Sequence, residues 1–143
     1  MRFDGAGKST LAKALAKEIY YRFIDIEDLL FPKDNSEYMY LNPRTFEEAE
    51  SILSNMILES GNFVLVAVRG DFKKEIVSHF KCVIYIEASK EIRVKRVYER
   101  SFIQFGKRIC EGGDLYEKEQ AFFDSVKVKD ENTVKNGWPL YLA

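Results

Sequence analysis

The sequence predicts an α/β domain of three layers with a mostly parallel sheet, and three observations predict it. Continuous apolar runs, FVLVAV at 63–68 and CVIYI at 82–86, read as strands covered on both faces. Segments with apolar residues at helical spacing stand between and after them. A glycine-bearing turn, Asp4-Gly5-Ala6-Gly7-Lys8-Ser9-Thr10, opens directly into the first of these helices.

Taken in order, Leu11, Leu15 and Ile19 recur every fourth residue and place an apolar stripe on the first helix. The run YRFIDI at 21–26 is aromatic and β-branched and reads as a strand, with Asp25, Glu27 and Asp28 at its C-terminal end. Residues 31–42 read as a loop broken by Pro32, Asn35 and Ser36, with Tyr38 and Tyr40 packing on the domain. Thr45 with Glu48 matches a capping box, and Ala49, Ile52, Leu53, Met56 and Ile57 carry the helix on until Gly61 stops it.

The strand at 63–68 ends at Arg69-Gly70-Asp71, and a short helix then points Phe72, Ile76, Val77 and Phe80 inward. Ser89 caps a helix to about Phe102, followed by a loop from Gly106 to Asp114 that contains Gly112-Gly113. Asp114 with Glu117 repeats the capping-box spacing ahead of a helix packing Phe122, Phe123 and Val126. Residues 136–143 read as the stub of a last strand.

With 143 residues the chain reads as a single domain, 1–143, with a lid at 93–114. Its 22 basic and 23 acidic side chains nearly cancel, which argues against a polyanion or an acidic membrane as partner. No apolar stretch approaches the length of a membrane span, so a cytoplasmic protein is expected. Two cysteines, Cys82 and Cys110, suit a reducing compartment. His79, the one histidine, reads as structural.

Chemistry concentrates at the strand ends. Gly5 and Gly7 let the backbone turn tightly and aim successive N–H groups into one concavity, a cradle for a triphosphate formed by Asp4, Gly5, Ala6, Gly7, Lys8, Ser9 and Thr10. Lys8 adds a positive charge at the β- and γ-phosphates, and the Ser9 hydroxyl can hold Mg²⁺. Asp25 or Glu27 can serve the metal or accept a proton from an acceptor hydroxyl; both face one side if the strand runs through Glu27. Arg93, Arg96 and Arg100 share a helix face, Arg108 follows in the loop, and guanidinium groups suit forked contacts with phosphate oxygens. Arg69 and Gly70 stand where an acceptor's anionic group would bind, and Gly112-Gly113 can hinge a lid. The ordinary alternatives for these side chains are solvated strand ends, an exposed salt-bridged helix face and a glycine break between helices.

These features together resemble the P-loop small-molecule kinases of the nucleoside monophosphate kinase and shikimate kinase group. Gly7-Lys8-Ser9-Thr10 carries the specificity of that resemblance, and Phe23-Ile24-Asp25-Ile26-Glu27 is similar to the Asp-x-Asp segment of shikimate-type kinases, with Glu at the second acid. The segment 93–114, with Phe105-Gly106-Lys107-Arg108 and Gly112-Gly113-Asp114-Leu115-Tyr116-Glu117, is similar to uncharacterised bacterial kinase-like ATPases. The resemblance implies a P-loop NTPase fold, ATP and Mg²⁺ as cofactors, a small-molecule phosphoryl acceptor and a closing lid, with no nucleic acid and no membrane. It assigns catalytic roles to Lys8, Asp25, Arg96, Arg100 and Arg108, metal binding to Ser9 and Asp25, and acceptor contacts to Glu27, Arg69 and Gly70.

The same resemblance implies a first strand in the centre of the sheet, and only Met1, Arg2 and Phe3 precede the turn, with Arg2 where the motif's first glycine belongs. Losing five or six such residues removes roughly 1.5–3 kcal/mol each, as much as a domain's net stability, so a weakly stable chain is expected. The function expected is transfer from ATP to a small metabolite or nucleotide; a nucleotide-binding switch and a non-catalytic ATP-binding protein stay open as alternatives.

Overall fold

The computed structural model describes residues 5–33, 40–68 and 70–128. These fall into two compact units, one from residue 8 to residue 83 and the other joining the residues up to 7 to those from 84 on.

The first unit is built on two parallel strands, β1 (Arg22–Asp25) and β2 (Phe63–Val66), in a register that sets Arg22 opposite Phe63 and Asp25 opposite Val66. Helix α1 (Lys8–Glu18) packs on both strands, and its buried residues are Ala12 and Ala16. Leu11 and Ile19, expected to form its inner stripe, are 49% and 39% exposed. The small alanines let the helix lie close on the sheet, so the four-residue spacing was right and its phase was one residue off.

β1 stops at Asp25, because helix α2 (Ile26–Leu30) starts at the next residue. Asp25 itself caps that helix: Oδ1 accepts the Glu27 amide at 3.0 Å. Glu27 is therefore on a helix, and the expectation that it shares one strand face with Asp25 is corrected. Helix α3 (Phe46–Ser60) has the reciprocal Thr45–Glu48 capping box and ends at Gly61, as its sequence predicts. Its core face is Ala49, Leu53 and Ile57, joined by the buried Glu50. After β2 the chain passes Phe72, which packs against Phe46 and Phe80, into the short helix α4 (Lys74–Val77) with Ile76 buried. His79 is exposed in the turn that follows.

The run at 82–86 is not a strand. Among the described residues the sheet has only β1 and β2, and Val83, Ile84 and Tyr85 are 58%, 59% and 40% exposed. Apolar composition gives a segment strand propensity, but a strand forms only where a neighbour supplies the ladder.

The second unit is helical. Helix α5 (Lys90–Phe105) starts at Ser89, whose hydroxyl accepts the Ile92 amide, and buries Val97 and Ser101. A 3₁₀ turn (Gly106–Ile109) follows, and helix α6 (Tyr116–Lys127) packs Phe123 and Val126 against α5. Leu115, not Asp114, stands at the start of α6, and no side chain caps it. The expected strand stub at 136–143 and Tyr38 lie outside the described residues.

Candidate functional site

In the first unit the site begins at the C-terminal edge of the sheet. Ser9, in the first turn of α1, donates its hydroxyl to Asp25 Oδ2 at 2.7 Å, which joins the start of the helix to the end of β1. Asp25 is only 8% exposed, and burial, the largest influence, pushes its carboxyl above the ordinary 3.8. The bonds from Ser9 and the Glu27 amide pull the other way, as does Lys13 more weakly, while Asp28 adds to the rise. Lys13 also lies over the Phe23 ring, 5.3 Å from its centre. Lys8 opens α1 half-buried, Thr10 is exposed beside it, and the first turn of the helix itself contains no acidic residue.

The donor set suits Mg²⁺. A hydroxyl oxygen and a carboxylate held together are hard oxygen ligands, and a buried carboxylate whose charged form is disfavoured gains most from a cation. Among the described residues no group of three or more acidic, histidine or cysteine side chains could hold a metal ion.

In the second unit Gly5 and Gly7 have φ of +78° and +95°, in the left-handed region that side chains avoid. A Cβ on Gly5 would stand 2.6 Å from the Arg93 carbonyl oxygen and 3.0 Å from Val97 Cγ2, so glycine there allows the turn to lie against α5. At Gly7 the nearest neighbour of such a Cβ is Arg96 Nη1, at 3.6 Å. The structure thus brings Gly5, Gly7 and Arg96 together. Arg93, grouped with Arg96 and Arg100 by spacing, is buried and gives its Nε hydrogen to the Ala88 carbonyl, whereas Arg96 and Arg100 are exposed.

Arg108 is engaged by a forked pair with Asp114: Nη2 to Oδ2 at 2.6 Å and Nε to Oδ1 at 3.0 Å. The fork holds the Asp114 carboxyl below its usual range, and it takes the side chain that the capping-box spacing assigned to α6. The Leu115 amide donates to the Arg108 carbonyl, and Ile109 and Leu115 are buried beneath the loop. A Cβ on Gly113 would meet that same carbonyl oxygen at 2.2 Å, so Gly113 permits tight closure of the loop on itself, whereas Gly112 has open space around it.

Asp4 and Arg69 lie outside the described residues. Gly70, half-buried, follows β2 at the sheet edge where Asp25 pairs with Val66. Sequence reasoning passed over Glu50. The signal was present, since a carboxylate three and seven residues before Leu53 and Ile57 stands on the apolar stripe, and a charge there needs a buried partner.

A model of the shikimate kinase family matches residues 4–126. The chain belongs to the shikimate kinase family. That family is one of kinases, enzymes that transfer phosphoryl groups, and it carries the P-loop α/β fold, with which the short parallel sheet and its helices agree. The uncharacterised protein YqaC of Bacillus subtilis strain 168 is 22% identical over 127 residues, covering 89% of this chain and 68% of that protein. The shikimate kinase of Francisella tularensis subsp. holarctica strain FTNF002-00 / FTA is 30% identical over 101 residues, 64% of this chain and 57% of its own length. The shikimate kinase of subsp. novicida strain U112 is 29% identical over the same length. The chain thus spans somewhat over half the length of the shikimate kinases it matches. No solved structure gives a significant match. Among the described residues no helix is long and apolar enough to cross a membrane.

Proposed function

We propose that this chain is an ATP-dependent phosphotransferase that moves the γ-phosphoryl group onto a hydroxyl of a small anionic metabolite. The observation that carries the reading is the Ser9–Asp25 hydrogen bond, which ties the residue after the phosphate-loop lysine to a buried carboxylate at the strand edge. Membership of the shikimate kinase family and the similarity to the shikimate kinase of Francisella support it.

In this reading the backbone from Asp4 to Thr10 cradles the polyphosphate of ATP and the Lys8 ammonium binds its β- and γ-oxygens. Ser9 and Asp25 would hold Mg²⁺, which, when bound, neutralises charge that builds on the phosphates. Asp25 accepts the hydroxyl proton of the acceptor as that oxygen bonds to the γ-phosphorus. The bond from phosphorus to the β,γ-bridging oxygen breaks, its electrons leave with ADP, and the phosphate ester departs.

Arg96 and Arg100 stabilise the charge on the transferring group, and Arg108 joins them only after leaving Asp114. Arg69, Gly70 and Glu27 contact the acceptor. Incubation of the chain with γ-labelled ATP and shikimate, followed by a panel of small hydroxylated acids, tests the reading. Label is expected on an acceptor; label released only as free phosphate with every acceptor would point instead to a nucleotide-hydrolysing switch.

A further inference from the structure

Ser9 and Lys13 both reach from α1 to β1, and only Ser9 has a part in the scheme above. Ser9 bonds Asp25 at 2.7 Å, and the Lys13 ammonium lies over the half-buried Phe23 ring, 5.3 Å from its centre, within reach of a cation–π contact. The repeats of helix and strand explain the pairing. Ser9 and Lys13 are four residues apart on α1 and share a face, an advance of about 6 Å along the axis. Phe23 and Asp25 are two apart on β1 and share a face of the sheet, an advance of about 6.6 Å along the strand. One helical turn thus matches two strand residues, and the contacts form successive rungs, with Asp25 at the sheet edge and Phe23 one step in. A single rung fixes one separation and lets the helix pivot about it; a second rung one turn away removes that freedom. Ala12 and Ala16 let α1 lie close on the sheet, but their methyl groups offer few contacts to hold it in one alignment.

We propose that Lys13 is a positioning residue for the metal: its contact with Phe23 fixes α1 on β1 one turn from the Ser9–Asp25 pair and so sets the separation of the hydroxyl and carboxylate oxygens that take Mg²⁺. This rests on the proposed phosphotransferase reading, in which Ser9 and Asp25 hold that cation. In this role Lys13 acts through the ring and touches neither metal nor nucleotide. Its charge alone would act in the opposite sense, since a cation near the metal's ligands repels Mg²⁺. Neutralising Lys13 therefore separates the two effects by sign.

Calorimetric titration of the full chain with ADP, once in Mg²⁺ and once in EDTA, gives the factor by which the metal tightens nucleotide binding. Lys13→Gln puts a neutral side chain that suits a helix in place of the lysine, and Phe23→Leu keeps an apolar side chain without the ring. Each is expected to cut that factor about two- to fivefold, the scale of one exposed cation–π contact, with ADP affinity in EDTA unchanged. Lys13→Arg keeps a cation over the ring and restores the wild-type factor. Lys13 is exposed, so its variants keep the fold and carry the test by themselves if Phe23→Leu does not fold. An unchanged or larger factor in Lys13→Gln, an unchanged factor in a folded Phe23→Leu, a Lys13→Arg as impaired as Lys13→Gln, or an equal loss of affinity in EDTA each overturns the proposal while the phosphotransferase reading stands. ADP binding by the wild-type chain that Mg²⁺ does not tighten removes the metal role of Ser9 and Asp25 as well.

Discussion

Two aspartates, each just ahead of a helix, have exchanged the roles their sequence contexts suggest. Asp114 precedes Glu117 at capping-box spacing, yet its carboxylate goes to Arg108 and α6 starts uncapped at Leu115. Asp25 reads as a strand residue, yet it caps α2 and accepts the Ser9 hydroxyl as well. Their surroundings separate them further. Burial raises the pKa of Asp25 above 3.8, while the guanidinium fork lowers that of exposed Asp114 below it. A residue type and its local spacing set which hydrogen bonds a side chain is able to make; the competing partner that arrives from elsewhere in the chain decides which one forms.

That contrast predicts unequal consequences for the same substitution. In the proposed function Asp25→Asn removes both the proton acceptor and a metal ligand, and phosphoryl transfer is then expected to fall about 10²- to 10⁴-fold, the range for loss of a general base. Asp114→Asn removes the charge from the fork with Arg108 and changes transfer by no more than about fivefold, as for one exposed ion pair. Initial rates for the two variants, measured side by side at saturating ATP, check the difference. Equal effects would erase the distinction between the two carboxylates.

The pH dependence of stability sharpens the comparison with a smaller effect, and the signs are opposite. For Asp25 the folded chain holds a proton more tightly than the unfolded one. Its protonated form therefore stabilises the fold below 3.8, and that contribution is lost as pH rises through the higher folded value. For Asp114 the ionised form stabilises the fold above 3.8, and that contribution is lost as pH falls through the lower folded value. Without nucleotide or metal, Asp25→Asn is expected to raise Tm at pH 7 and to flatten the decline of stability above pH 4. Asp114→Asn lowers Tm slightly at pH 7 and has no effect well below 3.8. Thermal melts at a series of pH values read both.

Much of the fold was legible because some of its determinants are local. Thr45 and Glu48 start α3 and Gly61 ends it using only their own neighbours, and Ser89 does the same for α5. The strand expected at 63–68, which ends two residues earlier at Val66, and the placement of Asp25 at a sheet edge were legible too. What escaped depended on partners distant in sequence. The run at 82–86 has strand composition but no ladder neighbour among the described residues, and α1 turns alanines inward because the sheet lies close beneath it. In the site, Ser9 and Asp25 were named separately, and sixteen positions of chain hid the bond between them. Glu50 was missed although it stood on an apolar stripe, since the amide that donates to it is twenty-three residues further on.

The account stands on the grip of the glycine loop and Lys8 on a polyphosphate, and calorimetric titration of Mg-ATP into the wild-type chain and Lys8→Ala measures that grip directly. The expected result is a loss of affinity on the order of 10- to 100-fold in the variant, as for removal of a charged hydrogen-bond donor, with the fold intact by circular dichroism. Equal affinity in the two proteins would contradict the account.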